Sequence, residues 1–292
     1  MTELVVISGK GGTGKTTVVG SFAALAEDVV VADCDVDAAN LHILLGGEVV
    51  EKAPYHGSET AVINQGKCIA CGACARVCRF DAIRVEGDLY SVDPLSCEGC
   101  EACAHVCPVG AISMEERQSG WIYVSRTPYG TLVHGELLPG EENSGKLVTQ
   151  VKMRARGIAR KEGAKLLLID GSPGIGCSVI ASLSGAHAAL IVAEPSLSAL
   201  HDLKRVAGVA RHFRSRLFLV LNKADLSPSI AERIRKEAGD DGMVYLGEIP
   251  YDEDVTAAQV LGKPVVVHSR GRAAAALRAI WERLEGELGP WG

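Results

Sequence analysis

The sequence is poor in aromatic residues and has no excess of positive charge. Aromatic residues make up 4% of the 292 residues, whereas hydrophobic residues make up 47%. The core must therefore be built mainly from Val, Ile, Leu and Ala, as in a buried parallel sheet. The formal net charge is -6, so bulk attraction to nucleic acid or to an anionic membrane surface is not expected.

Long hydrophobic runs are also missing. No apolar stretch reaches the roughly 18 residues that a membrane-spanning helix needs. The first apolar stretch runs directly into a glycine-rich loop, which leaves no room for a cleavable signal segment. We therefore expect a cytoplasmic protein. Because cytoplasmic thiols stay reduced, its clustered cysteines are predicted to bind metal rather than to form disulfides.

A phosphate-binding motif follows the first predicted strand, residues 4–8. Residues 9–16 read G-K-G-G-T-G-K-T, a pattern in which backbone amides before a helix N-terminus hold phosphate groups. Lys15 is expected to reach the β- and γ-phosphates, and Thr16 to bind Mg2+. The other predicted nucleotide contacts of this loop are Gly11, Gly12, Thr13, Gly14 and Thr17.

Eight cysteines fall into two copies of one pattern, C-x2-C-x2-C-x3-C. The copies are Cys68, Cys71, Cys74 and Cys78, then Cys97, Cys100, Cys103 and Cys107. This is the bacterial ferredoxin spacing for two [4Fe-4S] clusters, in which the fourth cysteine of each run binds the other cluster. Cluster 1 is assigned to Cys68, Cys71, Cys74 and Cys107, and cluster 2 to Cys97, Cys100, Cys103 and Cys78. Structural zinc is the main alternative, although it usually uses two C-x2-C pairs per ion.

The cysteine repeat interrupts an α/β pattern. Alternation of strands and helices stops near residue 64 and resumes with a strand at residues 165–170. We predict a P-loop ATPase domain from residues 1–63 and 117–292, with an inserted α+β ferredoxin-like domain at residues 64–116. A helix capped by Asn143 or Ser144 is expected after the insert, and an amphipathic helix over residues 272–288 is expected to pack on the sheet.

Lys10, just after the first glycine of the loop, adds a family resemblance. The loop resembles the deviant Walker A motif of the MinD/Mrp/ParA and nitrogenase iron-protein group. The resemblance implies an ATP-dependent sandwich dimer, formed by identical chains or with a paralogue. Lys10 would then reach the partner's nucleotide, much as an arginine finger does. With its cysteine repeat, the whole chain resembles MinD/Mrp-superfamily ATPases that carry an inserted two-cluster ferredoxin domain.

The same resemblance identifies two nucleotide-sensing switches. Asp35 and Asn40 match the first switch, and Asp35 would orient or activate the attacking water. Asp170 matches the second switch and would hold the Mg2+ shell, while Gly174 would sense the γ-phosphate. Catalysis is therefore assigned to Lys10, Lys15, Asp35 and Asp170.

Recognition of the base is less specific. Asn222 and Asp225 resemble base-reading residues, and Pro250 belongs to a segment that resembles the loop beside the base. The N-K-x-D run that contains Asn222 and Asp225 also occurs in GTPases. ATP is the predicted nucleotide, with the base less certain than the phosphates.

Two cysteines lie outside the repeat. Cys177 follows Asp170 by seven residues, as does a cysteine of the nitrogenase iron protein that binds a cluster shared between subunits. Cys177 is therefore a candidate for a bridging cluster, and a small buried apolar residue is the alternative. Cys34 is expected to be a core thiol.

Two functions fit these observations. The first is an ATP-hydrolysing iron–sulfur protein that couples a nucleotide-driven dimer switch to electron transfer or metallocluster assembly on a client protein. The second is a MinD/ParA-like positioning ATPase with a redox-sensing ferredoxin insert. The charge-balanced final helix and the absence of a basic tail favour the first. We expect no nucleic-acid or membrane partner for either.

Overall fold

The computed structural model describes residues 1–141 and 144–289. Its chain divides into two compact units. The first contains Met1–Ala53, Ile122–Glu136 and the chain from Ser144 onward, and the second contains Pro54–Trp121 and the segment that begins at Leu137. The second unit extends beyond the predicted insert, residues 64–116, at both ends. Asn143, one of the two predicted helix caps, and Glu142 lie outside the described residues.

In the described chain, one sheet has nine strands. They are β1 Thr2–Ser8, β2 Val29–Asp33, β3 Glu48–Ile63, β6 Ile112–Thr127, β7 Gly130–Leu137, β8 Leu166–Pro173, β9 Ala188–Ala193, β10 Arg216–Asn222 and β11 Val244–Ile249. Their order across the sheet is β11-β10-β9-β1-β8-β2-β7-β6-β3. From β11 to β7, every recorded pairing is parallel. The predicted mostly parallel α/β fold is confirmed.

The helices of the first unit lie between the strands and, in the case of the last three, after β11. They are α1 Lys15–Leu25, α2 Leu41–Leu45, α5 Ser144–Glu162, α6 Cys177–Leu183, α7 Leu197–His212, α8 Pro228–Asp240, α9 Glu253–Val260, α10 Val265–His268 and α11 Arg272–Leu288. Their starts follow local chemistry. The Ser196 hydroxyl caps α7 by accepting from the Ala199 amide at 3.3 Å, and Asp252 caps α9 by accepting from the Asp254 amide at 3.1 Å. Pro228 occupies the first turn of α8, where its missing N–H costs nothing.

The core of the first unit is aliphatic, as predicted. Leu4, Val5, Val6 and Ile7 of β1 are completely buried between layers of helices. The predicted amphipathic final helix is confirmed, because α11 buries Leu277, Ile280, Trp281 and Leu284. A rare aromatic pair joins the phosphate-loop helix to α11, with the rings of Phe22 and Trp281 5.0 Å apart. No helix of the described residues is long and apolar enough to cross a membrane.

The second unit is small and is built around its cysteines. It contains a hairpin of β4 (Ile83–Glu86) and β5 (Leu89–Val92), and the short helices α3 (Ala73–Val77) and α4 (Ala102–His105). Cys74 and Cys103 are buried together with Ala61 and Ile63. A left-handed residue precedes each helix, Gly72 before α3 and Glu101 before α4. The two halves of the sequence repeat therefore fold alike.

The Phe22 contact gives a stability prediction. Phe22 has no exposed surface, so Phe22→Ala should lower the free energy of unfolding by about 3–5 kcal/mol through lost burial and a residual cavity. Urea unfolding of the nucleotide-free protein, followed by tryptophan fluorescence, measures the change. Val267→Ala is the control, because Val267 is 52% exposed and should cost no more than about 0.5 kcal/mol. Equal effects of the two variants would contradict the assigned core.

Candidate nucleotide site and cysteine-lined cavities

An open cleft of about 1560 Å3 lies at the carboxyl ends of the parallel strands in the first unit. This is the edge at which parallel α/β sheets bind ligands. The predicted site residues that line the cleft are Gly11, Gly12, Gly14, Lys15, Thr16, Thr17, Asp35, Asn40, Asn222 and Pro250. The topology thus brings together the phosphate loop, the first switch and the segments assigned to the base.

The Asn222 side chain fixes the backbone of the phosphate loop. Its side-chain amide donates to the Thr13 carbonyl at 2.8 Å. Gly14 adopts a left-handed φ of 92°, and a Cβ at this position would lie 2.2 Å from the Asn222 amide nitrogen. Only glycine fits both the backbone angle and this close approach. Asn222 therefore has a structural partner in the loop that the base-reading prediction did not include.

Lys15 and Asp35 face each other across the cleft. The Lys15 side chain is 5% exposed, and its ammonium lies 3.8 Å from an Asp35 carboxylate oxygen. Burial raises the pKa of Asp35, while the nearby Lys15 charge lowers it. A carboxylate with a raised pKa is better able to accept a proton.

Asp170 is completely buried at the carboxyl end of β8. Neither of its carboxylate oxygens has a partner within hydrogen-bonding distance and angle among the described residues. Burial raises the pKa of Asp170 to about 7, and Lys15 and the Thr16 hydroxyl only partly offset this. A buried carboxylate without hydrogen bonds is costly unless a cation compensates it. Oxygen ligands from Asp170 and Thr16 suit Mg2+.

The peptide of Cys34 joins the two predicted switches. Its N–H donates to the Asp170 carbonyl at 2.8 Å, and its carbonyl accepts from the Ser172 hydroxyl at 2.7 Å. The next residues are held by Asp33, whose carboxylate accepts from the amides of Asp35 and Leu41, each at 3.1 Å. The Cys34 side chain is fully buried, and burial raises its pKa. The prediction of a core thiol is confirmed.

Lys10 is bound within its own chain. Its ammonium lies 2.5 Å from a Glu194 oxygen and 3.3 Å from the Ser196 hydroxyl. The other Glu194 oxygen lies 3.5 Å from the Lys223 ammonium. Partial burial opposes ionisation of Glu194, but the two lysines lower its pKa. Sequence reasoning missed Glu194, because nothing in the sequence around it predicts a contact with Lys10.

Asp225 and Gly174 are not among the residues that line the cleft, and each is hydrogen-bonded to a neighbouring segment. An Asp225 oxygen accepts from the Tyr251 amide at 2.7 Å, and Arg272 donates to the Tyr251 carbonyl at 3.1 Å. Asp225 thereby holds the loop that contains Pro250. Gly174 has a left-handed φ of 90° and donates its N–H to the Ser8 carbonyl at 2.8 Å, which ties the second switch to the start of the phosphate loop.

Cys177 is the first residue of α6, and its side chain is exposed. The alternative of a small buried residue is therefore wrong. The physical reason is the packing of α6, which buries Val179, Ser182 and Leu183. These positions define one helix face at spacings of three and four residues, and Cys177 lies off that face. A bridging cluster at Cys177 stays a prediction.

Two cavities in the second unit are ringed by cysteines. The first is lined by Cys68, Cys71, Cys74 and Cys107. The second is lined by Cys97, Cys100, Cys103 and Cys78. Each cavity thus takes three cysteines from one run and the fourth from the other, which is the grouping that the ferredoxin spacing predicts.

The thiols of these cavities differ in environment. Burial raises the pKa of Cys74 and Cys103. The Ala111 amide, 3.2 Å from the Cys107 sulfur, is the main cause of the lowered pKa of Cys107. Among the described residues, no three His, Cys, Asp or Glu side chains converge closely enough to hold a single metal ion. A four-iron cluster needs a different arrangement, because its thiolates surround a larger body.

Comparison with known proteins places this fold and phosphate site in one class, the P-loop ATPases. The family of CobQ/CobB/MinD/ParA nucleotide-binding domains matches residues 4–265. The chain belongs to this family, and it is an ATPase of the MinD/ParA type.

Individual relatives cover almost the whole chain. An uncharacterized protein of Methanocaldococcus jannaschii, MJ0578, is 34% identical over 97% of this chain and 96% of its own length. An iron–sulfur cluster carrier protein of Pyrococcus abyssi is 25% identical over 98% and 86%. The solved structure of Pyrococcus horikoshii MinD, complexed with Mg-ADP, has a TM-score of 0.59 at 19% identity and covers 100% of this chain and 99% of that one.

The contact of Asp225 with Tyr251 suggests a structural role, which can be tested against the predicted role in reading the base. If Asp225 acts by holding Tyr251, Asp225→Asn should keep nucleotide affinity within about twofold, because an amide oxygen also accepts from the Tyr251 N–H. Asp225→Ala should weaken ATP binding about three- to fivefold through loss of that hydrogen bond. Isothermal titration with Mg-ATP and Mg-GTP measures both. Selective loss of one base in Asp225→Asn would contradict this role and support direct reading of the base.

Proposed function

We propose that the protein is an ATP-hydrolysing iron–sulfur protein in which a nucleotide-driven switch controls electron transfer or metallocluster assembly on a client protein. The observation that carries the proposal is the pair of cysteine-ringed cavities in a chain that belongs to a P-loop ATPase family. Joining a redox module and an ATP site in one chain allows the bound nucleotide to influence the redox module.

The cysteine residues fit [4Fe-4S] clusters better than zinc. Each cavity draws thiols from both sequence runs, as two-cluster ferredoxins do. The Ala111 N–H supports the Cys107 sulfur as a thiolate, the form that binds iron. Bound clusters would supply one-electron redox chemistry. The exposed Cys71 and Cys100 would bring that chemistry close to the surface that a client can reach.

The nucleotide site supplies the switch. Lys15 and the amides of residues 11–14 would hold the β- and γ-phosphates, with Mg2+ bound by Thr16 and Asp170 and neutralising phosphate charge. Asp35 would orient or activate water. Lys10 would act across an ATP-dependent dimer, formed by two copies or with a paralogue. Because the Cys34 peptide contacts both switches, a change at the γ-phosphate would reach both together.

The comparisons bear on the choice between the two functions. The relative named as an iron–sulfur cluster carrier supports a role in cluster or electron handling. The likeness to MinD supports the fold alone and keeps the positioning ATPase as the second candidate. The cysteine-ringed cavities fit both candidates, and the charge-balanced final helix favours the first.

Iron analysis tests the cluster part of the proposal. Protein purified without oxygen should contain about eight iron and eight sulfide atoms per chain, as two [4Fe-4S] clusters require. Cys71→Ala removes a thiol from one cavity only and should lower iron to about four atoms by loss of one cluster. Monomeric Cys177→Ala is the control, because Cys177 lies outside both cavities and a bridging cluster forms only in a dimer, and its iron content should be unchanged.

Different metal contents would contradict the proposal. Zinc in place of iron, with no low-temperature paramagnetic signal after reduction, would make the cysteine unit structural. A fall in the iron content of monomeric Cys177→Ala would mean that the eight repeat cysteines are not the full set of cluster ligands.

A further inference from the structure

Two lysine side chains converge on one carboxylate beside the phosphate loop. The Lys10 ammonium lies 2.5 Å from Glu194, and the Lys223 ammonium lies 3.5 Å from its other oxygen. Lys223 also donates to the Gly12 carbonyl at 3.4 Å, inside the loop. The nucleotide assignments leave Glu194 without a role, although it is the acidic partner of the residue that distinguishes this loop.

The backbone fixes both sides of the Lys10–Glu194 pair. Glu194 directly follows β9, and its carbonyl accepts from the Ser196 amide at 2.8 Å. On the other side, the Ser8 hydroxyl donates to the Lys10 carbonyl at 2.7 Å. Gly9 packs so closely on α7 that a Cβ there would lie 2.3 Å from the Asp202 Cβ. Both partners are thus anchored, and only the side chains must order when the ion pair forms.

An ammonium that is held by its own subunit is less available to another anion. Glu194 competes for Lys10 with any phosphate that Lys10 could reach, because both offer negative oxygens to the same three N–H donors. The pair is partly exposed, with 35% of the Lys10 side chain and 21% of the Glu194 side chain accessible. The ion pair therefore stabilises the protein only modestly. A weak pair can break when Lys10 binds another anion.

We propose that Glu194 is a positioning residue that keeps Lys10 within its own subunit and sets the ATP concentration at which Lys10 becomes available. The predicted effect on ATP concentration rests on the proposed role of Lys10 across the dimer. The contact between Lys10 and Glu194 within one chain does not depend on that role. Lys223 shares the same carboxylate, so Glu194 also balances a second charge beside the loop.

Competitive lysine labelling tests the holding directly. Nucleotide-free monomer is treated with trace acetic anhydride, and mass spectrometry measures the acetylation rate of each lysine. Glu194→Gln should raise the rate at Lys10 about three- to fivefold, the size expected when a partly exposed ion pair is lost. Glu237→Gln is the control, because it removes the same charge from an exposed pair with Lys204 at 2.9 Å and should leave Lys10 unchanged. Equal Lys10 labelling in wild type and Glu194→Gln would overturn the proposal.

ATP hydrolysis tests the consequence. Glu194→Gln should lower the half-saturating ATP concentration about three- to fivefold and leave kcat within about twofold. In a Lys10→Ala background, where Glu194 keeps only its contact with Lys223, the same substitution should shift the ATP affinity measured by direct binding less than it does in the parent protein. An equal shift in both backgrounds, or a fall in kcat as large as that of Lys10→Ala, would overturn the proposal. Faster labelling of Lys10 in a protein that never dimerises would instead refute the proposed dimer and leave the Glu194 contact intact.

Discussion

Two carboxylates buried side by side determine the design of the nucleotide site. Asp33 and Asp170 are neighbours in register at the carboxyl ends of β2 and β8, and both are fully buried. Burial, followed by repulsion from Asp170, raises the pKa of Asp33. Asp33 is stabilised by two backbone amides, whereas Asp170 depends on nearby positive charge. The site is therefore built to be completed by a cation, which the phosphate loop places next to a nucleotide.

The hydrogen bonds of Asp33 also order the proposed switch. By accepting from the amides of Asp35 and Leu41, Asp33 fixes the path of the segment predicted to be the first switch. The intervening peptide of Cys34 is hydrogen-bonded at both its N–H and its carbonyl to the segment that contains Asp170 and Ser172. Neither segment can move far without breaking hydrogen bonds to the other. This gives a physical basis for one coordinated response to the γ-phosphate, and for excluding independent motion of the two segments.

Sequence reasoning predicted the groupings that follow from fixed spacings. The phosphate loop is one short segment, and the doubled cysteine pattern predicts that each set of three cysteines lies beside a fourth, such as Cys107, from the other run. It missed contacts that the strand order creates. Asn222 reaches Thr13, and Glu194 reaches Lys10, only because β9 and β10 follow β1 in the sheet. The exposure of Cys177 depended on which face of a short helix packs inward, and seven residues with apolar side chains on more than one face do not specify that.

The central claim is that nucleotide state at the first unit acts on the clusters of the second. The most direct measurement is an anaerobic redox titration followed by electron paramagnetic resonance on the Asp35→Ala variant, which we expect to hydrolyse ATP slowly, in Mg-ADP and in Mg-ATP. The account predicts that the midpoint potential or the spectrum of at least one cluster differs between the two nucleotides. It also predicts that Ser172→Ala, which removes the hydroxyl bonded to Cys34, reduces the difference. Identical potentials and spectra in both nucleotides would contradict the coupling.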